Sequence, residues 1–445
     1  MKPFVVRPAS FLKGKISLPG DKSITHRAII LSSLSKGITT LKNFPLNKDC
    51  LYTLNAFKKL GAKANQNNNR KRHSAIIKIS VKEPFGLKNP ASDIFIGDSG
   101  TSLRLLLGVL SGQNFKTRLV AGKSLAKRPM RRVTEPLRMM GAKIQARKKG
   151  RIEEYSPITI RGGILRPIIY KIPVASAQVK SAILLAALYA HGRTKVIEPL
   201  KTRDHTERML KLFKADVKTH GDKIELYGDR PLVSPKSIYI PGDISSASFF
   251  MVASALIPGS RITIKKVNLN PSRIGVVNVL KRMGADVNIK YQISKIKNSE
   301  PVGDLIVKSS SLAGTRIKKR EIPLLIDELP ILMVAASLAK GESVFEDVGE
   351  LRVKETDRIE SMSENLTKMG ARISITKKNG VEALIIKGVK HLMGAKVRSF
   401  GDHRTAMSMI VAGLAACGNT RIDDISCIDK SFPDFLNILK PLLNK

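Results

Sequence analysis

Met283-Gly284-Ala285-Asp286 and Met369-Gly370-Ala371-Arg372 are two copies of one short phrase, and its recurrence decides the fold. The phrase also stands at Leu60-Gly61-Ala62-Lys63 and Met140-Gly141-Ala142-Lys143. Phe213-Lys214-Ala215-Asp216 is a variant, and Leu439-Lys440-Pro441 is a degenerate last copy. Each closes a helix-like stretch and precedes β-rich residues. Gly at the second position suits the left-handed residue that ends a helix, and the β-rich residues after it read as strand. The chain therefore holds six copies of a unit of roughly 75 residues.

A second element precedes each copy: a polar cluster that opens an apolar helix. The six clusters are Gly20-Asp21-Lys22-Ser23, Gly97-Asp98-Ser99-Gly100-Thr101, Ala175-Ser176-Ala177-Gln178, Gly242-Asp243-Ile244-Ser245, Ile326-Asp327-Glu328-Leu329 and Gly401-Asp402-His403-Arg404. Asp and Ser are natural N-caps. The apolar runs behind these clusters stop at Gly37, Gly112, Gly192, Gly259, Gly341 and Gly418. Every repeat thus reads helix, strand, helix, strand, with further strands between, so the class is α/β.

One such unit is too small to bury all its faces, so the copies should pack on one another. Six divide into three plus three. Pro231, Pro235 and Pro241 mark a boundary near residue 240. The expected domains are 20–240, and 1–19 with 241–445, the stretch Phe4–Leu18 joining the second. A helix N-terminus offers free N–H groups and a positive dipole end. Several such ends facing one cleft would hold a polyanionic ligand between the domains.

Composition narrows the function. The 445 residues are 42% hydrophobic and 26% charged, as in a folded soluble chain. No apolar run reaches the ~18 residues of a membrane span. The opening Met1-Lys2-Pro3-Phe4-Val5-Val6-Arg7 has no leader pattern, which places the protein in the cytoplasm. Cys50, Cys417 and Cys427 are odd in number and widely spaced, which speaks against a disulfide framework or a zinc site. The net charge of +42 fits either nucleic acid or a small anionic substrate. The basic runs Arg70–Arg72, Arg131-Arg132, Arg147–Lys149 and Lys318–Arg320 are short and scattered, Trp is absent and aromatics are 5%. Solvated faces and no specific nucleic-acid partner is the preferred reading.

Lys22, Ser23 and Arg27 put an ammonium, a hydroxyl and a guanidinium at one helix start, which is either an anion clamp or a capped surface helix. Lys354 and Arg358, four apart with Glu355 beside them, read as a charge ladder on a helix or as ligands. Asp327 opens an apolar helix, Leu329–Ala339, as N-cap or as general base. Arg404 fits the same helix-start pattern, and His403 reads as structural. Gly97-Asp98-Ser99-Gly100-Thr101 permits close backbone approach to an anion.

Together these strings resemble the EPSP synthase family over nearly the whole chain. The distinctive ones are Pro19-Gly20-Asp21-Lys22-Ser23 with Arg27, Lys127-Arg128-Pro129-Met130, Ala175-Ser176-Ala177-Gln178-Val179-Lys180-Ser181 and Thr202-Arg203-Asp204-His205-Thr206-Glu207. Leu351–Arg358, Asp402-His403-Arg404 and Ser431-Phe432-Pro433-Asp434 complete the set. The Ser-Ala-Gln and Arg-Asp-His-Thr-Glu strings look more like the bacterial class II branch.

The resemblance implies a two-domain inside-out α/β barrel, the enolpyruvyl transferase fold, acting as a monomer with no metal or organic cofactor. It implies addition and elimination: the 5-hydroxyl of shikimate 3-phosphate attacks C2 of phosphoenolpyruvate, C3 is protonated, and phosphate leaves. By resemblance Asp327 takes the hydroxyl proton, Glu355 is the proton donor, and Lys22 bridges both substrates. Ser23, Arg27, Ser176, Ala177, Gln178, Arg203 and Lys354 would hold shikimate 3-phosphate. Gly100, Arg128, Arg358, Arg404 and Lys430 would hold phosphoenolpyruvate, with Gln178 helping.

Three positions depart from the family pattern. Asp98 replaces the usual Asn. Glu350 stands where class I members carry a substrate-contacting Asn. Gly100 replaces the Ala of glyphosate-insensitive class II enzymes, which leaves room for glyphosate. A UDP-N-acetylglucosamine enolpyruvyl transferase is the nearest rival, but no Cys stands in the third repeat of the first domain.

Overall fold

The computed structural model describes residues 3–69, 74–150, 152–292, 299–378 and 380–443; the basic run Arg70–Arg72 lies outside them. The chain forms two compact units. The first is Pro19–Ile240 with Ser294–Glu300; the second is Met1–Leu18, Pro241–Ile293 and Pro301–Lys445. Glu300 thus groups with the first unit. There Glu300 meets the buried ring of His205, Oε1 to Nδ1, at 2.7 Å.

The second repeat shows the pattern in full. Strand Ile94–Gly97 leads to helix Gly100–Ser111, strand Lys116–Ala121, helix Arg131–Met140, and strands Lys143–Lys149 and Glu153–Arg161. In the sheet the order is first, second, fourth, third strand. The first pair is parallel and the others antiparallel. The third repeat, from Ile169–Lys171 to Lys223–Tyr227, and the fifth, from Arg316–Ile317 to Val381–Lys387, repeat this order.

The two repeats that open each unit are closed differently. Strand Ser237–Tyr239 pairs parallel with Gly37–Pro45 in the first unit. Strand Lys13–Ser17 pairs parallel with Arg261–Asn268 in the second. Each therefore precedes a helix of one unit while serving as the edge of a sheet in the other. The sixth repeat is reduced: Phe4–Val6 pairs antiparallel with Thr420–Ile422, which pairs parallel with Lys396–Val397.

Hydrophobic patterning explains the layers. In each repeat the first helix is buried nearly all round, as Ile244–Leu256 and Leu329–Ser337 show; a helix apolar on every side belongs in a core. The second helix is amphipathic, as in Arg131–Met140, where Val133, Leu137 and Met140 are buried and the arginines are not. Strands alternate, as Glu153–Arg161 does with every second residue buried. No helix among the described residues is long and apolar enough to cross a membrane.

The phrase that revealed the repeats closes helices as expected. After Gly61, Gly141, Gly284 and Gly370, all at positive φ, the Ala N–H reaches back to the helix: Ala62 to Phe57 O at 2.9 Å, Ala142 to Leu137 O at 3.1 Å. Ala285 to Leu280 O and Ala371 to Leu366 O are both 2.9 Å. The Gly N–H meanwhile bonds the carbonyl three residues back, which is the Schellman pattern. Lys214 adopts the same left-handed conformation, φ 65°, without being Gly. The last copy does not: Lys440 is right-handed, φ −50°, and Pro441 continues a 3-10 turn.

Two local expectations are corrected. The apolar helix after Asp327 ends at Ser337 rather than Ala339. Lys354 and Arg358 share no helix face. Asp357 accepts the N–H groups of Ile359 (3.0 Å) and Glu360 (3.1 Å), which starts the helix at Arg358 and leaves Lys354 in the preceding turn.

Candidate active site

In the first unit the functional groups gather at helix starts. Asp21 Oδ1 accepts Ile24 N–H at 3.0 Å, so Lys22 is the first residue of helix Lys22–Ser32. Its ammonium lies 2.8 Å from Asp49 Oδ2, in the first turn of helix Lys48–Lys59. Ser23 is half-buried, and its carbonyl accepts Arg27 Nη1 at 2.8 Å. Arg27 is buried and donates to Thr206 Oγ1 (2.6 Å) and Ser181 Oγ (2.7 Å). Burial, only partly offset by Glu207 and Asp21, pulls its guanidinium down to about 10.

Ser176 caps helix Ala177–Ala187, accepting Val179 N–H at 3.4 Å. Ala177 and Gln178 are half-buried in its first turn. Gln178 Oε1 accepts Arg104 Nη1 at 2.8 Å, and its amide donates to Thr101 Oγ1 at 2.9 Å. Arg203 lies half-buried in the loop just before helix His205–Leu212.

Gly100 opens the helix capped by Ser99. A Cβ on Gly100 would sit 2.7 Å from Arg104 Nη1 and 3.2 Å from Arg128 Nη1. Two guanidinium groups therefore crowd one helix N-terminus, where backbone N–H groups and cations reinforce each other toward an anion. Asp98, the odd carboxylate there, accepts Ser124 N–H (3.0 Å) and Leu125 N–H (3.1 Å). It fixes the turn that carries Arg128.

Beneath these helix starts runs a buried chain of hydroxyl groups. His26 Nδ1 meets Thr53 Oγ1 at 2.7 Å, Thr53 meets Ser102 Oγ at 2.5 Å, and Ser102 donates to Ser99 at 2.6 Å. Burial first, then Lys22 and Arg27, hold His26 well below the usual histidine range, so it is neutral near pH 7. Arg104 escaped the sequence reading. Its signal was a lone charge inside the apolar run Gly100–Ser111, one turn from Gly100.

In the second unit Asp327 precedes helix Leu329–Ser337 without capping it; Glu328 takes the cap position. Asp327 Oδ1 lies 3.5 Å from Arg358 Nη1 and Oδ2 lies 3.6 Å from Arg404 Nη2. Arg404 Nη1 also donates to the Asp327 carbonyl at 2.8 Å. Arg358 is buried; its Nη2 donates to Glu355 and its Nε to Asp402 Oδ2 at 2.8 Å. Burial opposes its charge, but Asp402, Glu355 and Asp327 outweigh that and raise its pKa. Lys430 Nζ reaches Gly401 O at 3.5 Å. Lys354 is half-buried in the turn beside Glu355.

The second cluster thus brings Asp327, Glu355, Arg358 and Arg404 together, with Lys354 and Lys430 on adjoining turns. The first brings Gly100, Arg128 and Gln178 together through Arg104, and Arg27, Ser176 and Arg203 through the Ala177 and His205 helices. Carboxylates beside guanidinium groups suit proton transfer next to anion binding. His403 is buried and starts its helix, consistent with a structural residue. Glu350 lies half-buried in the 3-10 turn Gly349–Leu351.

Comparison with solved structures defines the class. The chain superposes on the enolpyruvyl transferase NikO from Streptomyces tendae with a TM-score of 0.74, covering 99% of this chain and 97% of that one. At 15% identity that likeness establishes the fold, an enolpyruvyl transferase fold. An EPSP synthase structure from Acinetobacter baumannii matches at TM-score 0.85 and 40% identity, over 100% of this chain and 98% of the other.

The sequence model of EPSP synthase (3-phosphoshikimate 1-carboxyvinyltransferase) matches residues 6–439, and the chain belongs to that family. A 3-phosphoshikimate 1-carboxyvinyltransferase of Geotalea daltonii is 46% identical over 98% of this chain and 97% of its own length. One from Citrifermentans bemidjiense is 45% identical over the whole of both.

Proposed function

We propose that the two clusters divide the work of the family's reaction between them. The reaction transfers the enolpyruvyl group of phosphoenolpyruvate to the 5-hydroxyl of shikimate 3-phosphate and releases phosphate, a step of aromatic amino acid biosynthesis. Asp327 accepts the hydroxyl proton, Glu355 delivers a proton to C3, and Lys22 stabilises charge on both substrates. Ser23, Arg27, Ser176, Ala177, Gln178, Arg203 and Lys354 hold shikimate 3-phosphate. Gly100, Arg128, Arg358, Arg404 and Lys430 hold phosphoenolpyruvate, with Gln178 assisting. Planar guanidinium groups match carboxylate and phosphate in two-pronged contacts.

The observation that carries this reading is Asp327, with one carboxylate oxygen 3.5 Å from Arg358 and the other 3.6 Å from Arg404. A base held beside two cations that anchor phosphoenolpyruvate can take the proton of the hydroxyl that attacks it. The Ser176-Ala177-Gln178 and Arg203-Asp204-His205-Thr206-Glu207 strings support placement in the class II branch. The absence of a side chain at Gly100, beside the Arg104 and Arg128 guanidinium groups, supports glyphosate as a competitor of phosphoenolpyruvate. A monomer in the cytoplasm is the assembly and location that go with this reading.

The test is phosphate release from phosphoenolpyruvate plus shikimate 3-phosphate, with UDP-N-acetylglucosamine as the control acceptor. Release with shikimate 3-phosphate alone, lost in Asp327→Ala, is the expected result. Release with the nucleotide sugar would move the chain to the related transferase. Undiminished release by Asp327→Ala would remove the base from Asp327.

A further inference from the structure

Lys180 and Glu198 touch neither substrate in the proposed reaction, yet both are charged and almost wholly buried in the first unit. Lys180 Nζ lies 3.0 Å from Glu198 Oε2 and 2.6 Å from Glu207 Oε1. Burial disfavours its charge, and the two carboxylates outweigh that and raise its pKa. Desolvated ions of this kind cost several kcal/mol each unless their remaining bonding groups are filled. Stability alone would be served as well by apolar side chains.

The second oxygen of Glu198 shows where that arrangement leads. Oε1 accepts both the N–H of Thr202 (3.2 Å) and its hydroxyl. Thr202 is buried and directly precedes Arg203. On the other side, Glu207 adjoins Thr206, whose hydroxyl accepts Arg27 Nε at 2.6 Å. Ser181, the next residue after Lys180, bonds both Arg27 and Thr206. One ammonium thus ties the helix of Ser176 and Gln178 to the loop of Arg203 and to the helix that orients Arg27.

We infer that Lys180 and Glu198 are positioning residues: through Thr202 they hold Arg203 in register with Arg27 and Ser176 for the phosphate end of shikimate 3-phosphate. None of these contacts involves a group assigned to phosphoenolpyruvate; Gln178 and Lys22, assigned to both substrates, share only a helix with Lys180 and with Arg27. Loosening the loop at Thr202 therefore affects one substrate and spares the other. The inference rests on Arg203 being a ligand of shikimate 3-phosphate.

The experiment measures KM for each substrate and the melting temperature in Thr202→Val, Thr202→Ser and Arg203→Ala. Val keeps the shape of Thr and loses the hydroxyl bond, worth about a five-fold change. The expected result is a rise of about that size in KM for shikimate 3-phosphate. KM for phosphoenolpyruvate should stay within about two-fold of its starting value, and Ser should restore the first. Glu198→Gln, which keeps an acceptor for Thr202 but breaks the charge pair, should show the same one-sided rise, and it decides the matter if Thr202→Val does not fold. Equal rises in both KM values, a fall in melting temperature with both KM values unchanged, or failure of Ser to restore binding would each overturn the inference. If Arg203→Ala leaves binding of shikimate 3-phosphate intact, the assignment of Arg203 falls and the inference with it. If Arg203→Ala weakens binding while Thr202→Val does nothing, only the inference falls.

Discussion

Asp402 Oδ2 accepts Arg358 Nε at 2.8 Å, while its Oδ1 caps the His403 helix by accepting Arg404 N–H at 2.7 Å. One buried carboxylate thus sets two cationic residues. Removing Arg358 leaves Asp402, Glu355 and Asp327 facing each other without their shared cation. Arg358→Met should cost about 3–5 kcal/mol in denaturant unfolding, because a broken buried pair strands charge. Asp402→Asn, which keeps an oxygen for the cap, should cost much less in stability while still raising KM for phosphoenolpyruvate.

Gly100→Ala places a methyl group 2.7 Å from Arg104 Nη1 and 3.2 Å from Arg128 Nη1. Both atoms end flexible side chains and can retreat, so the fold should hold. The retreat widens the anion site. Steady-state kinetics should show a higher KM for phosphoenolpyruvate, and the inhibition constant for glyphosate should rise more. An unchanged glyphosate constant would contradict the space argument.

Asp98 acts here as a double acceptor for Ser124 and Leu125. Asp98→Asn retains one such oxygen and should leave activity within about three-fold, since a neutral acceptor still makes these bonds. Asp98→Ala loses both bonds and lets the Arg128 turn relax. It should raise KM for phosphoenolpyruvate about ten-fold or more, at roughly one to two hydrogen bonds' worth of free energy.

His26 gives a pH dependence with a definite sign. Its folded pKa lies well below that of the unfolded chain, so between the two values the unfolded state binds the proton and the folded state does not. The stabilising contribution is complete above about pH 6.5 and is lost as pH falls toward the folded pKa, at up to about 1.4 kcal/mol per pH unit. Unfolding free energy measured from pH 7.5 to 5 should therefore fall less steeply in His26→Leu than in the parent. The variant is less stable at pH 7.5, since Thr53 loses one of its two partners and keeps only Ser102.

Local signals made the repeats readable. Gly before Ala marks a Schellman end because only the left-handed residue and the buried one after it are constrained, and both lie within six residues. The helix-opening clusters were readable for the same reason, with Ser99, Ser176, Asp243 and Asp402 acting as caps. The Lys354–Arg358 ladder misled because Asp357, a stronger start signal, lay inside it. Arg104, Asp49 and the Lys180–Glu198 pair stayed hidden because their meaning comes from partners far along the chain. The exchange of strands Lys13–Ser17 and Ser237–Tyr239 was half visible: the expected ranges assign Phe4–Leu18 to the second domain and residues 20–240 to the first, but nothing local announces the strand with which either pairs.

That exchange also sets a timetable for synthesis. Strands Phe4–Val6 and Lys13–Ser17 are made well before their partners, Thr420–Ile422 and Arg261–Lys265. At roughly 5–20 residues per second, these strands wait on the order of tens of seconds with unpaired edges while Pro19–Ile240 acquires its own closing strand. These strands are thus made long before the residues that complete them. Lys13, Lys15 and the neighbouring Arg7, all exposed in the finished sheet, supply charge to keep that waiting segment from pairing with other chains.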